Sequence, residues 1–176
     1  MRSLILLCSM VMVASAAPLT PTVDSRTLPA PCRTVAEVPA DSASVTPHVD
    51  ATISSASCMA MNHLHALKLT ATPASAQAID EALAPSLTLL EAVIARGDTG
   101  AQIRAQHAKA DLYQGAAVML LATGRDAEPL VGRWRDQARA AYAEAVRLAA
   151  QIPDQVASDG VLAFAVSDSE FQLAAR

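Results

Sequence analysis

Residues 58–69 read CMAMNHLHALKL, with a soft or imidazole side chain at every second position: Met59, Met61, His63 and His65. On a strand, successive alternate side chains share one face, and these four would converge on a soft ion such as Cu(I). On a helix, a step of two residues turns the direction by about 200°, which splits them into Met59 with His63 and Met61 with His65. The surrounding apolar residues decide for the helix. Ile53, Ala60, Leu64 and Leu67 recur at helical spacing, so the segment is expected to form a helix over about 51–70, capped by Asp50. His65 and Met61 are expected to face the core, and His63 to sit at the rim.

Working outward, the same punctuation repeats. Thr72 and Pro73 suit the start of a second helix that stops near Gly97, with Ile79, Leu83, Leu87, Leu90 and Ile94 on one row and a kink at Pro85. Thr99 and Gln102 have the spacing of a capping box for a third helix that ends near Gly124. A fourth opens around Asp126 and Pro129, carries Trp134, Ala138, Ala141, Ala145, Leu148 and Ile152 inward, and ends at Pro153. A fifth runs from about Asp159, with Val161, Phe164, Ala165 and Phe171 on its inner row. The short connections favour antiparallel neighbours. The expected fold is all-α, an antiparallel bundle of four to five helices over residues 49–176, with Trp134 partly buried where the fourth helix meets its neighbours.

Composition agrees with close-packed helices. Hydrophobic residues make up 52% of the chain but aromatic ones only 3%, so the core must be built from Ala, Leu, Val, Ile and Met. A formal net charge of −4 gives no electrostatic reason to expect nucleic acid or anionic lipid as a partner.

Before the bundle come two segments of different character. Residues 1–16 have Arg2, an apolar run from Leu4 to Val13 and small residues at Ala14, Ser15 and Ala16, the layout of a signal peptide cleaved after Ala16. The run is short of the ~20 residues that span a bilayer. Residues 17–48 hold six prolines among many Ser and Thr and are expected to form an extended arm. Cys32 in the arm and Cys58 in the first helix are the pair that survives processing, and in an exported chain they are expected to form a disulfide. The resulting expectation is a periplasmic or secreted protein with no membrane association after cleavage.

Candidate chemistry is sparse. A metal centre would draw on Met61, His63 and His65, with His107 from the third helix to complete it. Arg133, Arg135, Arg139 and Arg147 suggest an anion-binding face, but Asp136 and Glu144 stand at offsets that allow Arg133–Asp136 and Glu144–Arg147 pairs along the helix. Asp168, between Phe164 and Phe171, is a candidate proton-transfer carboxylate if it faces inward. No G-x-S-x-G, H-E-x-x-H or glycine-rich phosphate loop occurs. The chain is therefore read as a binding or interaction module for a protein or small-molecule partner, without enzymatic activity or cofactor; the alternative is a copper or zinc binder using the Met and His side chains.

Overall fold

The computed structural model describes residues 28–32, 45–68, 75–122 and 129–175. The expectations for the signal peptide and for most of the arm lie outside these residues. The described residues form six α-helices and no strand: α1 (Val45–Lys68), α2 (Ala76–Arg96), α3 (Thr99–Leu121), α4 (Pro129–Ala149), a short α5 (Pro153–Ser158) and α6 (Gly160–Ala174). The helical bundle expected from the periodicity is present. Helices α1 to α4 pack in alternating directions, α3 touches α1, α2, α4 and α6, and α6 lies beside α3 and α4.

Alanine makes this closeness possible. The main core joins Ala56 and Ala60 of α1, Leu83 and Leu90 of α2, Ala105, Ala116 and Leu120 of α3, and Val131, Trp134 and Ala138 of α4. A second cluster, of Ile103, Ala145, Leu148, Leu162 and Ala165, seats α6 against α3 and α4. Small side chains let helix axes approach until backbone and Cβ atoms themselves form the contact. Gly97, between α2 and α3, is the extreme case: an added Cβ would stand 2.7 Å from Ala101 Cβ and 2.8 Å from the Val93 carbonyl oxygen.

Several boundaries differ from expectation, each for a local reason. Helix α1 starts at Val45, so Asp50 is not its cap; Asp50 pairs instead with Arg104 of α3. Pro47 does not prevent this, because the first-turn N–H groups need no helical acceptor. The cap of α2 is Ser75, whose hydroxyl accepts from Ala78 N at 3.0 Å; Thr72 and Pro73 lie outside the described residues. The cap of α3 is Asp98 rather than Thr99, and its carboxylate accepts from Ala101 N at 2.7 Å. Gln102 reaches back to the Gly97 carbonyl at 2.9 Å and ties the end of α2 to the start of α3. Helix α4 ends at Ala149, before Ile152 and Pro153, and Pro153 instead opens α5, where its missing N–H costs nothing.

Cys32 and Cys58 are disulfide-bonded, with Cα atoms 5.7 Å apart. The bond pins a 3-10 turn, Ala30–Cys32, onto α1. Leu28, Cys32 and Met59 are buried together there, with Leu89 of α2 against them. No described helix is long and apolar enough to cross a membrane.

Candidate functional site

The helical split of Met59, Met61, His63 and His65 holds, but its two faces are the reverse of those expected. Met59 is buried, whereas Met61 is 64% exposed and His65 is exposed. His63 is partly buried, and its Nδ1 lies 3.2 Å from the Ala82 carbonyl of α2. A carbonyl only accepts, so this ring nitrogen carries the proton. The reason for the reversal lies in Thr52 and Ser55, polar residues that are nonetheless buried. They extend the inner arc of α1 toward Met59 and His63 and leave Met61 and His65 on the outside. Thr52 manages its burial by donating to the His48 carbonyl at 2.8 Å.

His107 is in different company from the α1 histidines. Its side chain is 12% exposed, with Nε2 2.9 Å from Asp168 Oδ2 and Nδ1 3.6 Å from Asp111 Oδ2. Among the described residues, His107, Asp111 and Asp168 are the His, Cys, Asp or Glu side chains that come close enough to share one ion; Met61, His63 and His65 do not join them. The His107 ring is held edge-on by Tyr142, 6.0 Å away between centroids, and by Phe164, 5.9 Å away. Asp168 is thus only partly buried, and it is the hydrogen-bond partner of His107.

The inner row of α6 consists of Leu162, Ala165 and Ser169, not of Val161, Phe164 and Phe171. Ser169 satisfies its buried hydroxyl by donating to the Ala165 carbonyl at 2.7 Å. The smaller row is the one that seats closely on α3 and α4, and both phenylalanines turn outward, at 64% and 67% exposed.

Beside His107 the polar contacts continue. Tyr142 Oη lies 2.7 Å from Asp111 Oδ1 and 2.7 Å from the side-chain amide of Gln114, which in turn meets Gln172 at 3.1 Å. A phenol has a single proton, and the carboxylate is its stronger acceptor. The proton therefore goes chiefly to Asp111, while Gln114 Oε1 lies against the same phenol and Gln114 Nε2 donates to Gln172 Oε1. Burial pushes the Tyr142 phenol well above its ordinary range, and the hydrogen bond to Asp111 and the charges of Asp111 and Asp168 push it further.

Gln114, Tyr142 and Gln172 also form one end of an open cleft of about 590 Å³ between α3, α4 and the last turns of α6. Its walls are Ala117, Val118, Leu121, Ala138 and Ala175, and Arg135, Asp136 and Arg139 line it from α4. Of the arginines on α4, Arg147 is paired with Glu144, as the spacing implied, through contacts of 2.6 and 2.5 Å. Arg133 does not pair with Asp136; it reaches across to Asp80 of α2 at 2.9 Å.

Asp111, Gln114, Tyr142 and Gln172 were not singled out as site residues by the sequence. The signal that could have found two of them is the row His107, Asp111 and Gln114, polar at i, i+4 and i+7 in an alanine-rich helix. Comparison of the chain with protein-family models, with curated proteins and with solved structures found no match.

Proposed function

We propose that this protein is an exported binding module, periplasmic or secreted, and that its ligand occupies the cleft between α3, α4 and the end of α6. The observation that carries the reading is the form of the cleft: largely apolar walls with a small group of hydrogen-bonding side chains, Gln114, Tyr142 and Gln172, gathered at one end. That combination is the usual form of a small-molecule site. Export is supported by the leader-like residues 1–16 and by the Cys32–Cys58 bond, which belongs to an oxidising compartment. The test is nuclear magnetic resonance of the mature protein against a small-molecule library. Shifts of the Gln114 and Gln172 side-chain amides and of the Val118 and Leu121 methyl groups support the cleft. Shifts confined to Val161, Phe164 and Phe171 would move the binding surface to the outer face of α6 and make the partner a protein.

The alternative, a metal binder, draws its support from the His107, Asp111 and Asp168 group. An ion there would take the place of the His107–Asp168 hydrogen bond. Zinc titration followed by His107 ring resonances tests it: saturable micromolar binding that is lost in His107→Ala would favour this reading over the cleft.

A further inference from the structure

We infer that the ligand of the cleft is anionic, a carboxylate or phosphate head group on an apolar body. The inference rests on the cleft reading and adds the chemistry of what is bound. It begins with the partners of the basic side chains. Arg104 pairs with Asp50, Lys109 with Glu91, Arg133 with Asp80 and Arg147 with Glu144. Arg96 stands in the last turn of α2, where a cation complements the helix dipole. Among the residues whose side chains are described, that leaves Arg135 and Arg139, which have no carboxylate partner.

Both line the same cleft. They are four residues apart on α4, which places them on one side of the helix a single turn apart. Asp136 lies between them in sequence and also lines the cleft, so the charged side chains at its edge sum to one net positive, in a chain whose own formal net charge is −4. Carboxylate and phosphate are the groups that the planar guanidinium fork binds through paired hydrogen bonds. The rest of the cleft sets the remainder of the ligand. Ala117, Val118, Leu121 and Ala138 offer hydrocarbon to an apolar body, while Gln114 and Gln172 can hydrogen-bond a polar substituent.

The experiment uses the mature, disulfide-intact protein and three probes below their aggregation concentrations: octanoate, octyl phosphate and the uncharged octanamide. Binding is followed by the Gln114, Gln172, Val118 and Leu121 resonances and by calorimetry at low and high salt. At least one anionic probe is expected to bind about tenfold or more tightly than octanamide, and to lose that advantage in high salt. Arg135→Gln/Arg139→Gln should abolish the preference with an unchanged melting temperature, since both side chains are exposed. Whichever anion binds more tightly names the head group. Equal binding of octanoate, octyl phosphate and octanamide in the cleft would overturn the anionic inference and leave the cleft reading standing. Absence of any cleft response to all three would overturn both.

Discussion

Trp134 Nε1 donates to Asp80 Oδ1 across 2.9 Å, from a wholly buried indole on α4 to a carboxylate on α2 that also holds Arg133. The largest side chain in the core is thus anchored by a hydrogen bond at the edge of the bundle. Removing the acceptor strands a buried donor, which costs about 1–3 kcal/mol. Asp80→Ala is expected to lose that much in urea unfolding followed by tryptophan fluorescence. Asp80→Asn, which keeps an oxygen toward the indole, should lose less. Trp134→Ala, which also empties the core, should cost about 3–5 kcal/mol. Equal stability of Asp80→Ala and the unsubstituted protein would show that the indole N–H needs no partner.

Gly97→Ala should destabilise by about 1–3 kcal/mol, the usual cost of overpacking. The obstruction is the Val93 carbonyl and Ala101 Cβ, and neither has a flexible end that can move aside. Thermal unfolding by circular dichroism checks this, and an unchanged midpoint would mean that the α2–α3 connection relaxes.

The two neighbouring histidines of α1 should separate clearly. His63→Ala loses the hydrogen bond to the Ala82 carbonyl and should cost about 1 kcal/mol. His65 is exposed, and His65→Ala should fall within about 0.5 kcal/mol of neutral. The opposite order would place His65 inward.

Alkaline titration should find both tyrosines reluctant to ionise. Tyr142 is raised by burial and by Asp111, and Tyr113 by burial and by the nearby Glu91 and Asp80 charges. The folded state keeps protons that the unfolded chain releases near pH 10, so this stabilisation is complete below that pH and declines as the pH rises above it. Phenolate absorbance should appear together with unfolding, and Tyr142→Phe should lose stability less steeply above pH 10. Phenolate formation near pH 10 in a still-helical protein would contradict the buried network.

Cys32 and Cys58 should give no thiol labelling under denaturing, non-reducing conditions. Replacing both by Ala should cost about 2–4 kcal/mol, read from urea unfolding. Free labelling of both thiols would remove the cause of the packing around Leu28 and Met59.

The inner row of α4 was legible because a tryptophan and spaced alanines leave one reading, and Trp134, Ala138, Ala141, Ala145 and Leu148 are all buried. On α1 the row Ile53, Ala60, Leu64 and Leu67 does face the core, but Met61 and His65 were placed on the wrong side, and on α6 apolar residues alone misplaced the inner face. Thr52, Ser55 and Ser169 are buried and look polar; Phe164 and Phe171 are exposed and look like core. Thr52 and Ser169 satisfy their hydroxyls by bonding back to their own helices, whereas Ser55 Oγ is buried with no hydrogen-bond partner, so hydropathy alone places none of them. The site was legible residue by residue but not as a group. His107 and Asp168 were each picked out, yet their pairing depends on α6 lying along α3, sixty-one residues away in sequence, and no spacing within one helix encodes that.

The Cys32–Cys58 bond also fixes how the bundle would carry a mechanical load. The two residues are 26 apart in sequence, and Cys58 stands well inside α1, which begins at Val45. Tension applied through the chain ahead of Cys32 passes through the covalent bond straight to Cys58. The intervening chain, including the first turns of α1, is short-circuited and cannot be peeled away by that pull. Force instead enters where Met59 and Leu89 pack, as shear between α1 and α2 rather than fraying from an end. Reduction of the bond would redirect the same pull to the start of α1 and let the helix unravel turn by turn.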